Sequence, residues 1–264
     1  MNAFDYHRPT TLEDAAALLR AGADARFLAG GQSLLPTMKL GLASPSELVD
    51  LASISELKGI ERRGDVLRIG AGVTHSSVAA SSEVRACLPA IAALADGIGD
   101  RQVRNRGTLG GSLANNDPAA CYPSAVLALG ARVHTNRRDI AADDFFQGLY
   151  TTALETDEII TAVSFPIPQN AAYVKFHQPA SHFALVGVFV ARFATQVRVA
   201  VTGAANSVFR VPELEAALSA SWMPEAARAI RVDAANLNSD LHASAAYRAH
   251  LIPVLAARGV EQSL

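Results

Sequence analysis

The sequence predicts an α+β protein in three pieces, and three observations carry that prediction. Short strand-like runs alternate with Ala- and Leu-rich helical runs, without an internal repeat. Two glycine turns with matching cores, Ala29-Gly30-Gly31-Gln32-Ser33 and Thr108-Leu109-Gly110-Gly111-Ser112, fall on different pieces. Pro166 and Pro168 close the last strand of the second piece and mark a boundary.

The elements follow in order. Thr10-Thr11-Leu12-Glu13 is a capping-box pattern, which opens a helix that runs through Leu18 and Leu19 and stops near Gly22. Phe27-Leu28-Ala29 reads as a buried strand leading into the first glycine turn. Leu48-Val49-Asp50-Leu51 is the next strand, completing a β-α-β-like unit of about 55 residues, too small to stand alone. Val66 to Val73 alternates like a strand, and Leu88 to Ala95 is an Ala-rich helix. After the second glycine turn, Ser124 to Leu129 is helical and ends at Gly130. Asn136-Arg137 forms a hairpin tip between strands 132–135 and 138–141, and Glu158 to Phe165 is a further strand. Beyond the prolines, strands are expected at Tyr173–Phe176, Leu185–Phe193 and Val197–Thr202, the last setting three valines against Arg198, Ala200 and Thr202. Helices at Pro212–Leu218 and Ala245–Leu255 finish the chain, the second with a kink at Pro253.

Composition narrows the function classes. A chain of 264 residues can bury roughly 70–75% of its unfolded surface, so its fold needs neither disulfides nor metal. With 50% hydrophobic and 18% charged residues it is not disordered, and a net charge of −2 gives no global basic field for nucleic acid. Cys87 and Cys121 lie in unrelated contexts, and two cysteines cannot assemble an iron–sulfur or zinc site. No apolar leader follows Met1, and the longest apolar run, Ala184 to Ala191, falls far short of a membrane span. A soluble cytoplasmic protein is expected.

The glycine turns carry the chemistry. Paired glycines let successive backbone N–H groups point one way as a concave anion nest, to which the Ser33 or Ser112 hydroxyl adds a donor. One Gly-Gly pair reads as a plain turn; two with matching serines favour a clamp on one diphosphate, held in the crevice between the pieces. Competing chemistries lack residues. Gly70-Ala71-Gly72-Val73-Thr74-His75 misses the third glycine of a Rossmann fingerprint, and none of Lys39, Lys58 or Lys175 follows a glycine as a Walker loop requires. His177 with His182 and His242 with His250 are poor metal pairs, and Asp143-Asp144 reads as a solvated helix start before Phe145-Phe146. Arg101, Arg104 and Arg106 form the one local basic cluster: they offset a diphosphate, meet a partner, or line a solvated loop.

Three motifs then extend these features. Leu28-Ala-Gly-Gly-Gln-Ser-Leu-Leu-Pro-Thr-Met-Lys39, the long stretch from Ile98 to Pro118, and Thr152-Ala-Leu-Glu-Thr-Asp-Glu-Ile-Ile160 resemble the FAD-binding medium subunits of the molybdenum hydroxylases, the xanthine dehydrogenase and carbon monoxide dehydrogenase family. Ser244-Ala-Ala-Tyr-Arg248 is similar to that family's closing motif, so the resemblance spans nearly the whole chain.

The resemblance implies a two-subdomain FAD-binding domain of the vanillyl-alcohol-oxidase (PCMH) type over residues 1–170, with subdomains of about 1–55 and 56–170, followed by a C-terminal α+β domain of the CO dehydrogenase flavoprotein type over 171–264. By position it assigns the cofactor to Ala29, Gly30, Gly31, Gln32 and Ser33 and to Thr108, Gly110, Gly111 and Ser112, with Arg26, Leu28, Leu34, Ile98, Asn115 and Ile160 along its path. Three positions depart from the family pattern. Cys121 stands where an acidic residue commonly contacts the cofactor, Phe183 replaces a frequent Tyr beside the isoalloxazine, and His177 replaces a frequent Lys or Arg. The implied complex adds a small subunit with [2Fe-2S] clusters and a large molybdopterin subunit, as a dimer of heterotrimers in which substrate oxidation occurs on the large chain. A free-standing flavin oxidoreductase of the same fold is the alternative, and a non-enzymatic nucleotide-binding module a third.

Overall fold

The structure is a computed structural model describing residues 1–264. Its first piece contains β1 (Asp5–His7), α1 (Leu12–Ala21), β2 (Ala25–Leu28), α2 (Leu34–Lys39) and β3 (Glu47–Asp50). The strands form a parallel sheet in the order β1-β3-β2. The cap lies one residue beyond the Thr10-to-Glu13 capping box: Thr11 Oγ1 accepts the Asp14 N–H at 3.1 Å, while Gly22 ends α1 as its pattern predicts. α1 buries Leu12, Ala15, Ala16 and Leu19. The first glycine turn is the joint between β2 and α2, a helix whose Pro36 is tolerated because it lies in the first turn, where no intrahelical N–H is needed.

The second piece begins with β4 (Ile60–Arg63), β5 (Val66–Gly70), α3 (His75–Ala80), α4 (Ser82–Cys87), α5 (Pro89–Asp96), α6 (Arg101–Arg106), α7 (Leu109–Asn115) and α8 (Tyr122–Ala128). It continues through β6 (Arg132–Thr135), β7 (Asp139–Ala141), α9 (Ala142–Phe145), the short hairpin β8 (Phe146–Gly148) and β9 (Thr151–Thr152), and β10 (Ile160–Pro166). Five strands make an antiparallel sheet in the order β4-β5-β10-β6-β7. The alternation from Val66 to Val73 stops as a strand at Gly70, where a Cβ would stand 2.4 Å from the Leu57 carbonyl oxygen. Close backbone approach turns the chain there. The 132–141 hairpin has the expected pairing, Arg132 opposite Ala141 and His134 opposite Asp139, and Thr135 Oγ1 organises its tip by accepting the N–H groups of Arg137 and Arg138 at 3.1 and 2.9 Å.

Two expectations need correction here. The segment carrying Arg101, Arg104 and Arg106 is helix α6, not a loop, because Asp100 caps it through the Val103 N–H at 2.8 Å. The second Gly-Gly turn is the first turn of α7, with Thr108 as its cap.

The third piece holds β11 (Asn170–His177), β12 (Ala184–Arg192), β13 (Val197–Thr202), β14 (Phe209–Arg210), α10 (Pro212–Ala220), α11 (Pro224–Arg228) and α12 (Ala245–Ser263). Its antiparallel sheet runs β11-β12-β13-β14. Val197, Val199 and Val201 pack with α10 and α12 in one core, as the alternation predicts. The opposite face of β13 is also buried, because it meets the second piece: Ala200, with Phe189 and Ala191 of the neighbouring β12, joins the larger core, and Arg198 donates to the Leu127 carbonyl at 2.8 Å and to both carboxylate oxygens of Asp143 at 2.8 Å. Asp143 is therefore an interface ion pair as well as a helix start. Pro253 sits inside a helix eight residues longer than its sequence pattern marked, since α12 continues to Ser263.

Candidate functional site

A cavity of about 720 Å³ opens where the three pieces meet. Of the residues singled out from the sequence, Arg26, Leu28 to Leu34, Ile98, Thr108, Gly110 to Ser112, Asn115, Cys121, Ile160 and Phe183 line it. His177 does not. Its ring stacks on that of His182, which does line the cavity, with centroids 5.9 Å apart.

The first glycine turn has an unusual hydrogen-bond inventory. None of the six consecutive backbone N–H groups from Ala29 to Leu34 has an acceptor within the chain. Backbone donors are nearly always paired unless they face solvent or a ligand, so this run is a row of donors along the cavity wall. Gly31 makes the turn possible with φ +71°, a region that costs a side-chain-bearing residue about 1–2 kcal/mol. Gly30 seats the loop: a Cβ there would stand 2.2 Å from the Arg106 carbonyl oxygen and 2.6 Å from Gly107 Cα. The Ser33 and Ser112 hydroxyls lie on the same cavity.

The second turn works differently from the expected nest. Its amides are spent inside the chain, Leu109 N–H on the Val73 carbonyl (3.1 Å), Gly110 N–H on Ala71 (2.8 Å), Gly111 N–H on Thr108 Oγ1 (3.1 Å) and Ser112 N–H on the Thr108 carbonyl (3.0 Å). What its glycines supply is proximity. A Cβ on Gly111 would lie 3.2 Å from Ala29 Cβ, and one on Gly110 2.6 Å from Ala71 Cβ. The two motifs thus meet as one wall, with the donors on one side only.

Other groups fix the walls. Arg104 is committed to structure, donating to the carbonyls of Ile98 (3.0 Å) and Gly99 (2.9 Å), whereas Arg106 lines the cavity. Glu158, whose side chain is fully buried, meets Arg138 at 3.0 Å, the Thr135 hydroxyl at 2.7 Å and the Glu155 N–H at 2.9 Å. Burial alone would raise its pKa, but these three donors outweigh it and hold the carboxyl at about 2. Asn116, left-handed at φ 44°, donates to the Gly148 and Thr151 carbonyls at 2.8 Å each and so fixes the β8–β9 hairpin beside the cavity.

Lys175 and His75 are among the lining residues that the sequence did not assign to the site. Lys175 Nζ donates to the Gly97 carbonyl at 2.6 Å and the His182 carbonyl at 3.0 Å, and lies 3.7 Å from Cys121 Sγ, so it stitches the third piece to the second across the cavity. Its signal was faint: one lysine in a short strand. His75 caps the same region, 5% exposed, with burial and then Arg104 lowering its pKa to about 4. It follows Thr74, the N-cap of α3, inside the stretch that fails as a Rossmann fingerprint.

Free amides and hydroxyls between apolar flanks such as Leu34, Leu51, Ile54, Ile98 and Ile160 suit an elongated ligand with an anionic centre and flat apolar ends. A diphosphate-linked dinucleotide fits that description, and the FAD implied by the motifs is one.

Comparison with known proteins agrees in detail. Residues 2–168 match the family described as FAD binding domain in molybdopterin dehydrogenase, and residues 171–263 match the CO dehydrogenase flavoprotein C-terminal domain. The nicotine 6-hydroxylase medium subunit of Paenarthrobacter nicotinovorans is 40% identical, over 99% of this chain and 97% of its own. The carbon monoxide dehydrogenase medium chain of Afipia carboxidovorans is 42% identical over 71% of this chain and 68% of its own. Among solved structures, carbon monoxide dehydrogenase from Hydrogenophaga pseudoflava superposes with a TM-score of 0.88 at 34% identity, covering 99% of this chain and 97% of that one. Quinoline 2-oxidoreductase from Pseudomonas putida 86 does so with 0.89 at 30% identity, again over 99% and 97%.

Proposed function

The chain belongs to the family of FAD-binding medium subunits of molybdenum hydroxylases, and on that premise we propose that it is the electron-transfer subunit of a heterotrimeric complex whose substrate is oxidised on another chain. The observation that carries the reading is the row of unpaired amides from Ala29 to Leu34 on the wall of a dinucleotide-sized cavity.

In this reading those amides, with Gln32 and Ser33, hold the pyrophosphate of FAD, and Thr108, Gly110, Gly111, Ser112 and Asn115 extend the same wall beside them. Arg26, Leu28, Leu34, Ile98 and Ile160 flank the cofactor, Cys121 meets its ribityl or ribose region, and Phe183 and Lys175 border its isoalloxazine end. His177 enters only by supporting His182. The cofactor-binding unit is residues 1–170, divided near residue 55, and residues 171–264 close over it from the C-terminal side. FAD exchanges one or two electrons, which suits it to connect one-electron iron–sulfur clusters with an external acceptor.

The chain has two cysteines, both free, fewer than one [2Fe-2S] cluster needs. A small subunit bearing [2Fe-2S] clusters and a large molybdopterin subunit complete the complex, as a dimer of heterotrimers. A cytoplasmic location is part of the same proposal. No helix is long and apolar enough to cross a membrane.

Coexpression with the neighbouring genes, followed by size-exclusion chromatography and metal analysis, tests the assignment. A stable complex containing this chain, iron and molybdenum is expected. Robust substrate turnover by this chain alone, with flavin as its only cofactor, would overturn the proposal in favour of a free-standing oxidoreductase.

A further inference from the structure

His75 is an unusual side chain for a buried position. Its Nδ1 is sealed from solvent without a partner, and its ring packs on that of Tyr122 with centroids 5.4 Å apart. Nε2 makes no hydrogen bond in the chain either, yet it is not among the sealed atoms, and His75 lines the cavity. One polar atom of a ring that is 5% exposed is therefore left unpaired and unsealed, beside Gly107 and on a residue that lines the cavity.

Its position follows from Gly107. A Cβ on Gly107 would lie 2.5 Å from His75 Nε2, and from the other direction a Cβ on Gly30 would lie 2.6 Å from Gly107 Cα. Only a glycine lets the imidazole and the Ala29–Leu34 loop approach the same point. The His75 N–H anchors the arrangement on the Gly107 carbonyl at 2.9 Å, and Thr74 caps α3 beneath it through the Ser77 N–H at 3.2 Å.

We propose that His75 is a cofactor-positioning residue, donating a hydrogen bond from Nε2 to the phosphate-bearing centre of the dinucleotide and so completing on the α3 side the row of donors begun by the first glycine turn. The inference rests on the FAD reading of the cavity. A neutral ring suits the role: it presents one fixed donor, and it avoids placing a cation in a site where Arg104 already lies near. Packing against Tyr122 holds the ring plane, so the donor is oriented before the ligand arrives.

Two variants separate the hydrogen bond from packing. His75→Phe keeps a ring against Tyr122 and removes the donor; His75→Gln keeps an N–H donor at similar reach. FAD titration of apoprotein should show affinity falling about tenfold or more in the Phe variant, the loss expected for a hydrogen bond to a charged group, and substantially restored in the Gln variant. Riboflavin, which lacks the phosphates, should bind both variants and the parent alike. Nitrogen-15 spectra of the parent's histidines supply a readout that needs no variant to fold: the His75 Nε2–H signal should shift on adding FAD and stay in place with riboflavin. An unmoved His75 signal, or a Phe variant that binds FAD as tightly as the parent, would overturn the inference while leaving FAD binding intact. A parent protein that binds no FAD would instead refute the cofactor reading itself.

Discussion

Gly30 and Arg106 meet backbone to backbone: a Cβ on Gly30 would stand 2.2 Å from the Arg106 carbonyl oxygen, so the donor-rich loop is seated on the joint between α6 and α7. A main-chain neighbour cannot swing aside. Gly30→Ala should therefore displace the loop and lower FAD affinity by about tenfold or more, at a stability cost of about 1–3 kcal/mol.

Gly111→Ala should be milder, which titration of both apoproteins would show. Gly111 is helical, so the left-handed backbone that paired glycines suggest does not apply to it, and its new Cβ meets Ala29 Cβ at 3.2 Å and its own cap, Thr108 Oγ1, at 2.9 Å. Alanine's better helix propensity, about 1 kcal/mol, offsets part of that crowding. Equal losses in the two variants would contradict this ranking.

Acid should destabilise the apoprotein through His75. The unfolded imidazole takes a proton near pH 6.5 and the folded one only near about 4, because burial first and Arg104 second disfavour the cation. Between those values the unfolded state binds more protons, so stability falls as pH falls. Melting temperatures across pH 6.5 to 4 should drop more steeply in the parent than in His75→Gln.

Glu158 acts in the next window down. Its carboxyl is held at about 2 from an ordinary 4.5, so the stability its ion pair and hydrogen bonds contribute is present above pH 4.5 and is lost as pH falls through about 2. Glu158→Gln should cost about 2–3 kcal/mol in urea unfolding at pH 7 and should flatten the acid limb. A variant of parental stability would show that the 132–141 hairpin and the 152–160 motif are not tied together there.

Cys121→Asp would place a carboxylate where Lys175 Nζ now lies 3.7 Å from the sulfur. On the proposed placement of Cys121 against the cofactor, the added negative charge should make the flavin's reduction potential more negative, as read by a dye-coupled redox titration. A folded variant with parental potential, spectrum and affinity would make Cys121 purely a packing residue.

Local signals made some of these elements legible in the sequence. The start of α1 and the 132–141 hairpin depend on residues close in the chain; the hairpin takes the expected form, and the helix cap falls one residue along, on Thr11. Features set by distant partners were not legible. The polar face of β13 reads as solvent-facing until Leu127 and Asp143 of another piece cover Arg198. The second glycine turn reads as a loop because Gly-Gly is a poor helix start, yet Thr108 caps it and Ala71 requires the small residue. Matching glycine pairs brought the two motifs together on paper; only tertiary structure distinguishes the turn that offers its amides from the turn that offers proximity. His75 and Lys175 had no periodic or motif signal, since each is defined by what it meets across the cavity.

Acid precipitation of the purified protein distinguishes FAD held in this cavity without a covalent link from every other flavin arrangement. About one flavin per chain is expected, released completely into the supernatant as intact FAD. Colour retained on the precipitated chain, or FMN in the supernatant, would contradict it.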